Sequence, residues 1–145
     1  MNEYEEMRNR HQQRFNEWAN NHMFFAFDDK QFRDGMKSFG LDPDKDTDKL
    51  YKTGNGGFYR QTDAAELRQI LEENWSEFEN AMNADPTGDG FIYQAFYSEL
   101  CNHEYSYTGD PTDALDSLNL DPETVRADPR LMHGLAKAER ACIGK

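Results

Sequence analysis

The sequence predicts an α+β fold: a mostly helical single domain over residues 1–145, carrying one small antiparallel sheet. Three observations predict it. Leu67, Ile70, Leu71, Trp75, Phe78 and Met82 recur at three- and four-residue intervals, which places them on one face of a long helix. Met23 to Phe27 reads MFFAF, an apolar run too short to stand as a helix and closed by a turn signal, so it fits a buried strand. Gly54-Asn55-Gly56-Gly57 separates two short β-prone runs, Leu50 to Thr53 and Phe58 to Gln61, and makes them a hairpin.

In chain order, Tyr4, Met7, His11, Phe15 and Trp18 mark the apolar face of a first helix from about Asn2 to Ala19. After MFFAF, Asp28 or Asp29 caps a short helix whose Phe32, Met36 and Phe39 share a face, and Gly40 supplies a left-handed stop. Beyond the hairpin, Asp63 and Glu66 form a capping box for the long helix. Ile92, Ala95, Phe96 and Leu100 place another helix ending near Cys101, with a strand-like FIY at its start. All five prolines, at 43, 86, 111, 122 and 129, follow an aspartate. Aspartate accepts from the first free N–H groups of a helix, and proline at the first helical position gives up no hydrogen bond. The tail therefore reads as short helices starting at Asp110, Asp121 and Asp128.

Hydrophobic residues make up 37% and charged residues 30%, a polar balance, but ten Phe, seven Tyr and two Trp supply bulk for a core. Sixteen basic against 28 acidic residues leave a net charge of −12. Such a surface repels phosphate backbones and anionic membranes, so direct nucleic-acid or membrane binding is disfavoured and a basic protein partner is the expected one. Cys101 and Cys142 stand far apart and outside any CxxC pattern, so the expectation is two reduced thiols with no disulfide framework or zinc knuckle. No apolar signal core opens the chain and no run approaches ~20 apolar residues, which predicts a cytoplasmic protein. No cofactor motif is found.

Four clusters carry candidate chemistry. Asp85 to Phe96, DPTGDGFIYQAF, places Asp85, Thr87, Asp89 and Gly90 at positions 1, 3, 5 and 6 of a calcium loop, but Phe96 stands where the bidentate carboxylate belongs. A structural turn is favoured, and a small calcium-binding module is the first rival function. Asp42, Asp44, Asp46 and Asp48 alternate through a loop that also fails the calcium pattern, and they form a carboxylate row for a partner's lysines or arginines. Asn102-His103-Glu104-Tyr105 collects catalytic residue types, and a hydrolytic enzyme using His103 and Glu104 is the second rival, without any nucleophile elbow, HExxH helix or phosphate loop beside it. Tyr93, Tyr97, Tyr105 and Tyr107 concentrate aromatics that serve as core and as interface anchors. Partner binding is therefore assigned to Asp42, Asp44, Asp46, Asp48, Tyr97, His103, Glu104, Tyr105 and Tyr107, and no residue to catalysis or metal.

The blocks MFFAF with QFRDGMKSFGL, GGF, TGDGFIYQAFYSEL, NHEYSYTGDPTDAL and ADPRLMHGLAKA resemble an uncharacterised family of small acidic proteins from bacterial mobile elements and phages. The resemblance runs from about Met23 to Ala138 and implies no catalytic residues. The setting it implies points to non-catalytic inhibition of the anti-CRISPR kind: carboxylates replacing phosphates in the basic groove of a host defence nuclease.

Overall fold

The computed structural model describes residues 1–144 and is a mostly helical α+β fold with a small three-stranded antiparallel sheet. Eight helices appear among the described residues: α1 (Glu3–His22), α2 (Asp29–Ser38), α3 (Ala64–Ala84), α4 (Phe91–Asn102), α5 (Tyr105–Thr108), α6 (Thr112–Ser117), α7 (Pro122–Ala127) and α8 (Pro129–Ile143). The strands are β1 (Met23–Phe25), β2 (Leu50–Lys52) and β3 (Gly57–Arg60), in the order β1-β3-β2. Packing divides the chain into two compact units, one of residues 1–10 and 75–145 and the other of 11–74. The sequence marks no boundary between them, because both divisions fall inside helices, α1 and α3, whose periodicity runs on unbroken.

In the unit of residues 11–74, the hairpin's second strand is central and β1 adds beside it. Phe24 pairs with Phe58 and Met23 with Tyr59, while Tyr51 faces Tyr59 from β2. Strand alternation sends Phe24 and Phe58 to one face, where their rings stack at 5.2 Å and meet Phe32 of α2 and Phe39 at its C-cap. Tyr59 points the other way and meets Trp18 edge-on at 5.6 Å. MFFAF is strand only as far as Phe25: Ala26 still donates to Gly56 O, but Phe27 N–H turns to the Gln31 side chain because Asp28 has begun to cap α2, accepting from Gln31 N–H. The capping box expected at Asp63 does not form. A 3₁₀ turn over Gln61–Asp63 runs directly into α3, and the Asp63 carboxylate faces Arg60 Nη1 at 3.4 Å instead.

In the other unit α4 is central, with Ile92, Ala95, Phe96 and Leu100 fully buried. It packs on α8 through Leu131 and Ala138 and on α6 through Ala114 and Leu115. The FIY segment is helical from Phe91, not extended. Two of the three Asp-Pro starts are as expected: Asp121 accepts from Thr124 N–H ahead of Pro122, and Asp128 from Arg130 N–H ahead of Pro129. At the third, Asp110 accepts from Thr112 N–H but Pro111 takes the N-cap place, so α6 begins one residue later. The one-turn helix α5, bounded by the left-handed residues Glu104 and Gly109, has no periodicity to announce it. No helix among the described residues is long and apolar enough to cross a membrane.

Gly35 lies under the Phe24 ring so closely that a β-carbon there would overlap Cδ1. Gly35→Ala is expected to destabilise the chain by ~2–3 kcal/mol through overpacking. Gly54→Ala, at a site with nothing within 4 Å, is expected to stay within about 0.5 kcal/mol of wild type. Urea denaturation of both variants checks the pair.

Candidate functional site

Asp85 is 6% exposed and directs both carboxylate oxygens at the backbone. Oδ1 accepts from the N–H groups of Thr87 and Gly88 at 3.1 and 2.9 Å, and Oδ2 from those of Gly90 and Ile92 at 3.0 and 3.1 Å. Burial pushes its pKa up, but the four N–H donors outweigh burial and hold it below the ordinary carboxylate value. Asp89 Oδ1 meets His133 Nε2 at 2.6 Å and Lys137 Nζ at 3.3 Å, and those partners, His133 first, hold it low as well. The carboxylates at positions 1 and 5 of the calcium-like loop thus face protein donors. Among the described residues no three His, Cys, Asp or Glu side chains are grouped to hold a metal ion.

The Asp42 to Asp48 loop, in the unit of residues 11–74, is largely self-contained. Arg33 forks onto Asp44 at 2.9 and 3.3 Å and holds its pKa low. Asp46 accepts from Asp42 N–H at 2.7 Å and pairs with Lys49 at 3.1 Å. Asp42 Oδ1 accepts from the N–H groups of Asp44 and Lys45. Only the Asp48 carboxylate has no such engagement; its main-chain carbonyl accepts from Gln61.

The remaining predicted residues lie in the other unit, and the structure separates them by role. Tyr97 is half-buried and stacks on Tyr93 at 5.8 Å. His103 places Nδ1 2.8 Å from the Glu99 carbonyl one turn back, a contact that puts the proton of the neutral ring on that nitrogen. Glu104 is exposed and left-handed at φ 58, and no hydrogen bond or ion pair joins it to His103 among the described residues. Tyr105 is internal, a correction to its place among surface anchors: it is 7% exposed and donates to Glu139 Oε2 at 2.5 Å. That hydrogen bond, with burial and the carboxylate's charge, pushes its pKa up to about 12. Tyr107 is 90% exposed.

The sequence carries one further signal in its charge spacing. Residues 69–125 hold 13 Asp and Glu and no Lys or Arg over 57 positions. The unit of residues 1–10 and 75–145 consequently carries 16 acidic and 7 basic residues, a net charge of −9, against 12 and 9, or −3, for the other. The α5–α7 segment turns Tyr105, Ala114, Leu115, Leu118 and Val125 inward. That leaves Glu104, Asp110, Asp113, Asp116, Asp121 and Glu123 exposed around Tyr107 in sequence. Asp110 and Asp121 are held below the ordinary value by local donors from Thr112 and Thr124. Glu104, Asp113, Asp116 and Glu123 make no side-chain hydrogen bond or ion pair among the described residues.

A groove of about 310 Å³ opens in the same unit, with Trp75, Phe78, Met82, Leu118 and Leu131 among its walls. Its arginine, Arg130, is tied to Asp128 at 2.9 Å and to the carbonyls of Met82, Asn83 and Asp85, so that cation is engaged from within the chain.

The model of a family of unknown function, DUF7659, matches residues 3–141. The chain belongs to that family. No curated protein and no solved structure matches it. For this family member, then, the exposed carboxylates of α5–α7 with Tyr107 form the candidate functional surface.

Because the folded pKa of Asp85 is lowered, its stabilisation is complete above the unfolded carboxylate value of about 3.9 and is lost as pH falls through the folded value. Asp85→Asn is expected to cost about 3 kcal/mol at neutral pH and to flatten the acid limb of stability below about pH 4. Urea melts across pH check both. Millimolar calcium is expected to leave the melting temperature of the wild type unchanged, since its would-be ligands are already occupied.

Proposed function

We propose that the protein is a non-catalytic, acidic protein-binding module that docks on a basic surface of the kind built for a nucleic-acid backbone. The observation that carries the reading is the run of 57 residues without Lys or Arg, folded so that six of its carboxylates remain exposed between Glu104 and Glu123. Carboxylates form charge-assisted hydrogen bonds with arginine and lysine much as phosphates do, and a single-sign surface speeds encounter with a basic partner. Tyr107, almost wholly exposed, supplies a rigid amphipathic anchor amid that charge. The aspartates whose pKa moves, among them 44, 46, 85, 89, 110, 121 and 128, all move down, so they stay charged at neutral pH. A carboxyl acting as general acid needs a shift the other way.

The finer reading places the protein in the cytoplasm of a bacterial host, encoded by a mobile element or phage, where it blocks a defence nuclease by occupying its nucleic-acid groove. The block resemblance described above supports that setting, and the charge pattern supports the mode of action. The exposed carboxylates of α5–α7 take precedence over the Asp42 to Asp48 loop expected from the sequence, because three of the loop's four carboxylates are already engaged.

Affinity capture from nuclease-treated host lysate, at low and high salt, tests this. The expected result is one basic nucleic-acid-handling protein, retained at low salt and lost at high salt. Glu104→Gln, Asp113→Asn, Asp116→Asn and Glu123→Gln combined are expected to weaken its binding ~10-fold or more with the circular dichroism unchanged. The matched Asp42→Asn and Asp48→Asn variant is expected to bind within about threefold of wild type. Full retention by the first variant would overturn the assignment of the surface.

A further inference from the structure

Cys101 lies in the last turn of α4 and Cys142 in the last turn of α8. Although 41 residues separate them, their sulfur atoms are 3.8 Å apart. That is van der Waals contact, and a disulfide at about 2.05 Å requires the sulfurs to close by less than ~2 Å. The approach belongs to the resting packing of α4 on α8. Two contacts fix it independently: Gly134, whose β-carbon would come within 2.6 Å of Ile92 Cγ2, and the Tyr105–Glu139 hydrogen bond. The two thiols are also unlike in access. Cys101 is exposed, whereas Cys142 is 3% exposed.

We propose that Cys101 and Cys142 form a reversible intramolecular disulfide, with Cys101 meeting the oxidant and Cys142 resolving. Hydrogen peroxide serves as the oxidant class. The Cys101 thiolate attacks one peroxide oxygen, the O–O bond breaks, and the sulfur becomes a sulfenic acid as the other oxygen leaves as water. Cys142 sulfur then attacks Cys101 Sγ, the S–O bond breaks, and a second water leaves with the Cys142 proton as the S–S bond forms. Two thiols and one peroxide give one disulfide and two waters. A dithiol reductant reverses the bond by exchange. The cross-link closes a loop that contains α5, α6 and α7, so it restrains the unfolded chain across the acidic segment and stabilises the fold. The inference rests on the sulfur geometry and not on the docking reading.

The test treats the full chain with stoichiometric hydrogen peroxide, blocks remaining thiols with an alkylating agent, and reads intact mass and unreduced tryptic peptides. Cleavage after Arg68, Arg126 and Arg140 separates the two cysteines, so a linked peptide pair is diagnostic. The expected product is a monomer lighter by two hydrogens, containing the linked pair, restored by dithiothreitol, and melting roughly 5–10 °C higher than the reduced form. Cys142→Ser is expected to trap sulfenic acid at Cys101, read with a dimedone probe; Cys142→Ala serves if the serine variant loses its fold. Sulfinic or sulfonic acid at Cys101 without the linked pair, or linkage only between chains, would overturn the proposal.

Discussion

No side chain fits at residue 134, and much of the larger unit follows from that. A β-carbon on Gly134 would lie 2.6 Å from Ile92 Cγ2 and 2.8 Å from Gly88 O, so α8 approaches both α4 and the loop before it at backbone distance. Gly88 meets the same constraint from the other side, packed against Arg130 O. With the loop pressed on α8, the N–H groups of Gly88 and Ile92 are buried and need an internal acceptor. Asp85 is that acceptor, and in turning its oxygens to four backbone donors it gives up any role as a metal ligand. The same approach carries α8 along α4 to the point where Tyr105 finds Glu139 and Cys101 finds Cys142.

A second carboxylate organises the opposite side of α4. Glu99, 4% exposed, accepts from Arg8 Nη1 at 2.9 Å, Asn102 Nδ2 at 3.2 Å and Ser117 Oγ at 2.7 Å. Removing a buried carboxylate from water costs several kcal/mol unless donors surround it, so one side chain fixes the N-terminal turns of α1 and the end of α6 relative to α4. Tyr4 joins the cluster: burial first, and then the charge of Glu99, pushes its phenol pKa well up. These residues all belong to one unit, and they show why α4, more than the longer α1 or α3, organises it.

The sequence disclosed what depends on local chemistry and hid what depends on approach. Amphipathic stripes placed α1, α3 and α4, and the Asp-Pro pairs at 121 and 128 placed two helix starts correctly, because a cap and its helix are neighbours in the chain. Asp63 misled for the same reason read in reverse: the pattern was right, but Arg60 lay within reach and the chain entered α3 through a 3₁₀ turn. Tyr105 was legible as an aromatic for core or interface, but its hydrogen bond was not, since Glu139 is 34 residues away. The thiol pair was invisible because its meeting depends on a glycine in α8. The charge of the acidic surface was legible, though not which of its carboxylates stay exposed. It required counting what residues 69–125 lack, not the charges that stand out in the Asp42 to Asp48 loop.

A chain with so many uncompensated carboxylates repels itself, and the way it tolerates this bears on what its surface does. Many of its aspartates are matched by backbone rather than by cations. Asp28 and Asp121 accept from helix N-terminal N–H groups, and Asp85 accepts from the loop leading into α4 and from that helix's first turn, while Asp128 both caps α8 and pairs with Arg130. Helix N-termini carry partial positive charge and need no counter-ion to hold a carboxylate in place. Acidic side chains outside these caps, such as Glu104, Asp113, Asp116 and Glu123, make no side-chain ion pair among the described residues, although Arg126 stands three residues beyond Glu123. On the docking proposed above, a basic partner meeting these side chains would have no ion pair at them to break first, and its gain would not be offset by a loss within the chain. An acidic protein stabilised by its own salt bridges would forfeit that advantage. Here the chain's own ion pairs, among them Arg8–Glu99, Arg33–Asp44 and Arg130–Asp128, involve other carboxylates than these four.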